Sequence, residues 1–386
     1  MDFDLTEEQR AFCQSARAFA QQALAPYAAQ WDQQGHVPRQ VLQQAGELGF
    51  CGLYLPEQLG GMQASRLDGC LIFEELAKAC PATAAWLAIH NMAAALTAHA
   101  PGPFARDLAP ALASGAKLAS FCLTEAGAGS DAAALATRAR PDGAGWRLDG
   151  GKVFISGAGI SDVLVVFARS DMQASGRRGI SAFALDAHAP GVSYGRAEDK
   201  LGWRAQPTRS IHFDGVRLHA GQLLGAAGEG FGLAMRSLDG GRLNIAACSL
   251  GGAQAALQLA QQYVLQRRQF SRPLSEFQAL QFKLADMQTQ LVAARQMVRL
   301  AAVRLDAGRA DASVYCAMAK RLATDAGYAI CNEALQIHGG NGLTAEYPLE
   351  RLLRDLRTHQ IVEGANEIMR VIIARHILQE TTLEMD

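Results

Sequence analysis

The stretch from Phe121 to Asp131, Phe-Cys-Leu-Thr-Glu-Ala-Gly-Ala-Gly-Ser-Asp, joins an apolar run to a glycine-rich loop that carries hydroxyl groups. Glycine has no Cβ, so the backbone N–H groups of such a loop can come close to a carbonyl or a phosphate. Gly127, Gly129 and Ala132 also fit the GxGxxA spacing of a dinucleotide-binding turn. That use requires a following helix, a second strand and an acidic ribose ligand about 20 residues on. A strand-like hairpin through Trp146 and Gly150-Gly151 comes instead, which leaves a plain glycine-rich surface turn as the competing reading.

Two other stretches invite chemistry. In Gln336-Ile-His-Gly-Gly-Asn-Gly342 a helical segment ends in three glycines within four residues. One glycine suffices to cap a helix, so the surplus implies that something large packs on bare backbone there. In Ile361-Val-Glu-Gly-Ala-Asn-Glu-Ile368 a carboxylate, Glu363, sits among apolar residues at the expected start of the last helix. Desolvation there would raise its pKa toward the range of a general base; the plain alternative is a Glu serving the helix dipole or a cap. Arg267-Arg-Gln-Phe270 and Asp239-Gly-Gly-Arg242 offer cations for phosphate, although lone arginines are commonly solvated or paired.

Other chemistries find no support in the motifs. The nine His show no HExxH, the eight Cys contain no CxxC pair, and there is no GxSxG elbow, which argues against metal, dithiol and serine-hydrolase sites. The cysteines read as buried reduced thiols. A formal charge of −1, with no block of Lys and Arg, gives no electrostatic footprint for nucleic acid or an anionic membrane. The first ten residues lack the basic and apolar regions of a signal peptide, and no apolar run reaches membrane-spanning length. The expected location is the bacterial cytoplasm, or the mitochondrial matrix of a processed eukaryotic chain.

Positioning these groups calls for three parts. Residues 1–117 are rich in Ala, Gln and Leu with helical spacing, as in Phe12, Ala16, Phe19 and Ala20, interrupted by a loop from Leu55 to Gly61. Residues 118–231 change to short β-type runs, Arg147-Leu148, Val153–Ile155, Val163–Phe167, Ile180–Leu185 and Ile211–Phe213, separated by glycine turns as in an antiparallel sheet or barrel. Residues 232–386 return to long helices, expected over Met235–Tyr263, Leu284–Leu305, Ser313–Ile337 and Glu363–Glu380. Their apolar stripes, Leu284, Met287, Leu291, Ala294, Val298, Ala301 and Leu305 above all, suit a four-helix bundle. The fold class is α+β multidomain, with 49% hydrophobic residues to fill its cores.

Taken in order, these segments resemble the acyl-CoA dehydrogenase family from Leu5 to about Glu380. The joint pattern is Cys122–Asp131, Phe154-Ile-Ser156, Arg267–Phe270, Gln336–Gly340 and Glu363-Gly364. The stretches Leu53–Glu57, Gly60–Arg66, Ile89-His-Asn-Met92, Gln206–Arg209, Gly240–Ala246 and His359–Glu363 are similar to the branch of that family acting on isobutyryl-CoA, in valine breakdown.

The resemblance implies a helical N-terminal domain, a β-barrel middle domain, a C-terminal four-helix bundle, a homotetramer and an FAD between the middle domain and the bundle. Phe121, Leu123, Thr124, Gly129, Ser130, Phe154, Ile155 and Ser156 would line the isoalloxazine. Arg267, Gln269, Phe270, Phe277, Gln278, Gln336, Ile337, His338, Gly339 and Gly340 would hold the pyrophosphate and adenosine of an FAD in a neighbouring subunit. Ala365, Asn366 and Glu367 would touch the FAD beside Glu363; Ala365 stands where the family commonly has Thr, so it offers backbone contacts alone. Ser130, Asp239, Gly240, Gly241, Arg242 and Arg375 would meet the CoA ester.

The implied chemistry is removal of the α-proton by Glu363 with hydride transfer from Cβ to flavin N5, the thioester carbonyl being polarised by the Glu363 N–H and a ribityl hydroxyl. An electron-transfer flavoprotein would be the acceptor. An oxidase, a non-catalytic FAD or acyl-CoA scaffold, a dehydrogenase for 2-methylbutyryl- or butyryl-CoA, and a nicotinamide enzyme built on the Gly127 loop stand as alternatives.

Overall fold

Local sequence signals start several of the N-terminal helices in the structure, a computed structural model that describes residues 4–100 and 103–385. Residues 1–3, 101–102 and 386, which the expected domains include, lie outside the described residues. Helix α1 (Glu7–Phe19) opens with a reciprocal capping box between Thr6 and Gln9, and α4 (Arg66–Ala79) opens with another between Ser65 and Asp68. Between them lie α2 (Ala28–Gln34) and α3 (Arg39–Glu47). Helix α5 (Pro81–Thr97) has Pro81 in its first turn and is buried nearly all round, as an apolar helix inside a domain must be. Helix α6 (Pro103–Ala113) completes this part. The expected loop at Leu55–Gly61 is present as a short 3₁₀ turn, Glu57–Leu59, between tight bends.

The middle part has strands β1 (Ala119–Cys122), β2 (Arg138–Asp142), β3 (Gly145–Ser156), β4 (Val163–Arg169), β5 (Ile180–Asp186), β6 (Val192–Ala197), β7 (Thr208–His219) and β8 (Leu223–Leu224). They pair in the order β6-β7-β3-β2-β4-β5-β8, with β1 alongside β4. The expected antiparallel pattern holds for most pairs, but β1 runs parallel to β4, and β2 meets β4 parallel at Arg138 and Arg169. Strands β4 and β5 are buried almost throughout, covered on both faces.

The last part is built on α7 (Gly230–Gln266), which spans about 55 Å at 1.5 Å per residue. It packs against α4, α5, α8 (Gln278–Asp306), α9 (Ala312–His338) and α10 (Leu349–His359). The α8 stripe is buried as its spacing requires: Met287, Leu291, Ala294, Val298 and Ala301 are all sealed. Strands β9 (Arg268–Gln269) and β10 (Arg272–Pro273) form a small hairpin at the far end of α7.

Two boundaries differ from expectation. The last helix, α11, runs Asn366–Met385, so Glu363 precedes it by three residues instead of beginning it. Helix α10 is a separate element that the apolar pattern does not reveal; its buried face is made largely of Arg351, Leu352, Asp355, Leu356 and His359, charged groups that mask an apolar stripe. All eight cysteines are buried and free. No helix among the described residues is long and apolar enough to cross a membrane.

Candidate active site

The glycine loop after β1 is pinned from inside the protein. Glu125 and Ala128 exchange two backbone hydrogen bonds of 3.1 Å, closing a tight turn over Ala126-Gly127. The Glu125 carboxylate then accepts from Ala136 N (2.6 Å), Thr137 N (3.0 Å) and Lys152 Nζ (2.6 Å), and Lys152 also donates to Leu123 O (3.0 Å). Burial alone would raise the Glu125 carboxyl, but Lys152 and the two amides hold it below its ordinary value. This fully buried lysine fixes a loop whose outer face, Gly127, Gly129 and Ser130, is exposed. A Cβ added at Gly127 or Gly129 would meet nothing within 4 Å.

Strand β3 brings a second element beside that loop. Its register against β7 shifts between Lys152 and Ile155, and within the bulge Phe154 takes the left-handed φ of 57°. Bulges re-aim side chains, and here an aromatic ring is turned outward, 66% exposed. Val153 N donates to Thr124 O (3.0 Å), and Ser120 Oγ donates to Ser156 O (2.7 Å), so bulge and loop form one surface. Phe121 lies half-buried beneath it, its ring 4.9 Å from Phe167, while Leu123 and Ile155 are buried.

Glu363 stands in the turn between α10 and α11. It has φ 56° and Gly364 has φ 92°, two consecutive left-handed residues of which only the second can adopt the conformation without strain. The carboxylate oxygen Oε2 is sealed from solvent and accepts no hydrogen bond. Across from it is bare backbone: a Cβ on Gly241 would lie 2.7 Å from that oxygen and 2.4 Å from Met92 Sδ. Burial pushes the Glu363 carboxyl up to about 7, against the opposing pull of Arg242 and Lys320. Arg242 is itself held by Asp239 (2.6 Å), which also accepts from Ser313 Oγ (2.9 Å). An apolar floor and a cationic wall thus surround one poised carboxyl.

The remaining predicted residues gather elsewhere. Arg267 caps the end of α7, and Gln269 and Phe270 form the tip of the β9–β10 hairpin. Phe270, with φ 51°, is 88% exposed; its ring stands 6.2 Å from Phe277, over which Arg272 stacks at 4.0 Å. Tyr263 ties this end to α9: it stacks on His338 at 4.1 Å and donates to His338 O (3.3 Å), while Asn341 Nδ2 donates back to Tyr263 Oη (3.0 Å). Gln336, Gly339 and Gly340 are exposed, Ile337 and His338 are buried, and a Cβ on either glycine would touch nothing. From Gly241 to Tyr263 is about 33 Å along α7, so the predicted residues fall into two well-separated groups. Arg375 is exposed on α11, well beyond Asn366 along that helix.

Three models of the acyl-CoA dehydrogenase family match the chain: the N-terminal domain at residues 6–116, the middle domain at 120–216 and the C-terminal domain at 228–378. The chain belongs to the acyl-CoA dehydrogenase family. It is 47% identical over 377 residues to the mitochondrial isobutyryl-CoA dehydrogenase of Dictyostelium discoideum, covering 97% of this chain and 90% of that one. Two solved structures superpose closely. Butyryl-CoA dehydrogenase from Megasphaera elsdenii has a TM-score of 0.94 and 38% identity, covering 98% of this chain and all of the other. A chain from work on the electron transferring flavoprotein of Acidaminococcus fermentans has a TM-score of 0.95 and 39% identity, with the same coverage.

This acyl-CoA dehydrogenase is a flavoprotein oxidoreductase with the expected helical, β and helical parts. The GxGxxA reading of Gly127–Ala132 is overturned by its surroundings. The loop leads into one 3₁₀ turn, Ala132–Ala134, and then the β2–β3 hairpin, with no helix to carry a dinucleotide phosphate. Residues that sequence reasoning does not single out are Lys152 and Lys320. For Lys320 a signal exists: it falls on the stripe Cys316, Ala319, Ala323 and Gly327, where a cation has no water to face.

Proposed function

We propose that this acyl-CoA dehydrogenase oxidises a short branched acyl-CoA, isobutyryl-CoA above others, to its α,β-unsaturated ester, methacrylyl-CoA, with Glu363 as the base. The observation that carries the reading is the Glu363 carboxyl: buried, unsatisfied at Oε2, held by a left-handed backbone and facing a glycine. A buried acceptor without a donor is costly to folding, and strain of this kind collects at functional sites. The branched substrate is supported by the likeness to the Dictyostelium isobutyryl-CoA dehydrogenase, and it would place the reaction in valine catabolism.

FAD fits the residues present. The exposed Phe154 ring and the open backbone at Gly127 and Gly129 offer a platform for a flat ring system, with Thr124 and Ser156 at its edge. The open glycines 339 and 340, Arg267, Phe270, Phe277 and Gln278 offer a cradle for an anionic and aromatic end toward the Tyr263 end of α7, about 33 Å along that helix from Gly241, which we assign to the cofactor of a neighbouring copy. When bound, FAD supplies the acceptor for the two electrons and the β-hydrogen that leave the substrate.

The chain's own residues do the rest. The Glu363 N–H, at the head of the turn, would polarise the thioester carbonyl and make the α-hydrogen acidic. The deprotonated carboxylate would take that proton, assisted by a pKa near neutrality. Gly241 lets Glu363 and Met92 pack directly on the backbone of α7, and that apolar contact would keep water from the carboxyl. Asp239, Arg242 and Ser130 would order the CoA ester, with Arg375 near its anionic end. Electrons would pass on to an electron-transfer flavoprotein, the protein named in the work on the Acidaminococcus neighbour.

Anaerobic bleaching of the flavin absorbance, with isobutyryl-, 2-methylbutyryl-, isovaleryl- and butyryl-CoA titrated separately, tests the assignment. Fastest bleaching by isobutyryl-CoA is expected. Preference for butyryl-CoA would move the substrate to that of the Megasphaera neighbour, and no bleaching by any of the four would remove the short-chain class.

A further inference from the structure

Behind the Glu363 turn lies a lysine that the proposed chemistry leaves unused. Lys320, on α9, is fully buried, and its Nζ donates to Gly364 O (2.8 Å) and Asn366 Oδ1 (2.9 Å). Asn366 is clamped in turn: its Nδ2 donates to Thr324 Oγ1 (2.9 Å) and to Asp325 Oδ1 (2.7 Å), both on the next turn of α9. Gln360, on the other side of Glu363, donates to the same Asp325 oxygen at 2.8 Å. Residues 360, 364 and 366 are thereby fastened to one helix, and Glu363 is the residue they frame.

The direct partners of Lys320 are a carbonyl and an amide oxygen, so no carboxylate neutralises its charge at contact. A buried ammonium in that condition is expensive, and an apolar side chain of similar volume would be the easier way to fill the space. Burial pushes the Lys320 ammonium down to about 7, and Glu363 is the foremost of the groups that oppose this. The other charges facing the pair are Arg242 and Asp239 from α7, Asp325 from α9 itself and Glu367 from α11; His359, on α10, is kept neutral by burial and by Lys320. Of the two cations that oppose burial at Glu363, Arg242 acts more strongly and Lys320 second; Arg242 also has a carboxylate partner of its own, Asp239 at 2.6 Å, whereas Lys320 has none at contact.

We propose that Lys320 is a positioning residue for the Glu363 base: its buried ammonium fastens the left-handed Glu363–Gly364 turn to α9 and supplies, together with Arg242, the counter-charge for the carboxylate. The proposal rests on the reading of Glu363 as the base, but its test does not. The carboxylic C=O infrared band of Glu363, identified by its loss in Glu363→Gln, reports ionisation of that group whether or not it is catalytic. In Lys320→Gln a neutral donor replaces the charge, and the band's midpoint is expected to rise by about 1 unit. Asn366→Asp, which places a carboxylate against an intact Lys320, is expected to move the midpoint the same way. In Lys320→Met, which lacks a donor as well, the single-turnover bleaching rate should fall below that of Lys320→Gln at a pH where both carboxylates are ionised. A midpoint unmoved in Lys320→Gln, or in Asn366→Asp should the first variant not fold, overturns the proposal. Full turnover by Glu363→Gln would instead overturn the base assignment and leave the Lys320 titration standing on its own.

Discussion

At the scale of single residues, the protein puts two unlike carboxylates to two uses through their surroundings alone. Glu125 is surrounded by an ammonium and two amides and stays ionised; Glu363 is surrounded by a thioether, a glycine and a turn backbone and is pushed up to about 7. The consequence for catalysis has a sign. As the proposed base, Glu363 must be ionised, so kcat/KM for the acyl-CoA should climb with pH through about 7, and Glu363→Gln should keep its flavin while losing roughly 10³-fold in bleaching rate. The consequence for stability has the opposite sign. Glu363 binds its proton more tightly folded than unfolded, so its contribution is full below the unfolded value of 4.5 and is lost as pH rises to about 7. At pH 8 the ionised, buried group opposes folding by about 3 kcal/mol, on the scale of 1.36 kcal/mol per unit. Thermal unfolding should therefore show Glu363→Gln more stable than the parent at pH 8 and close to it at pH 4.5. Lys152→Met is the contrasting case: it strands the Glu125 carboxylate, costs about 3–5 kcal/mol, and should release flavin by loosening the loop, measured as a raised Kd for FAD alongside a lowered Tm.

At the scale of elements, the sites are made where regular structure is interrupted. Phe154 sits in a bulge, Phe270 at a hairpin tip and Glu363 in a turn, and all three have φ between 51° and 57° although none is glycine. All three are legible in the sequence as candidates, but their conformation is not, because a left-handed aromatic residue is imposed by the strands around it and not by its own preference. The glycines are more legible. Three within four residues after His338 exceed what a cap needs, and Gly339 and Gly340 do face open space. Long-range partners stay hidden: Lys152 reaching Glu125, or Lys320 reaching Gly364 across 44 residues, are contacts that no periodicity encodes. The open glycines can be separated from packing glycines by one experiment. Gly129→Val and Gly340→Val meet nothing in the chain, so they should leave apoprotein stability nearly unchanged and lower flavin content on purification. Gly251→Ala would set its Cβ 2.2 Å from Glu74 O, where α7 crosses α4, and should cost stability with no direct effect on the flavin.

At the scale of the whole molecule, the roughly 33 Å along α7 between Gly241, beside Glu363, and Tyr263 is the span that the proposed sharing of a cofactor between copies has to bridge. On the function proposed above, an FAD resting on Phe154 and beside Ala365 of one chain would have its ring held by the middle part and the start of α11, while Gly339 and Gly340, near the far end of α7, face open space among the described residues. That end also exposes large apolar side chains among its arginines: Leu265 is 68% exposed, Phe270 88% and Leu343 74%. Exposed large apolar groups gathered in this way mark contact surfaces. If the far end closes over the cofactor of another copy, assembly and flavin retention are one property. The double variant Leu265→Asp, Phe270→Asp, which puts two charges on that surface without touching the buried core, should lower the oligomeric state in light scattering and lose flavin absorbance in the same proportion. A smaller species that retains its full flavin would break the link, and would place the whole cofactor on the Phe154 surface of a single chain.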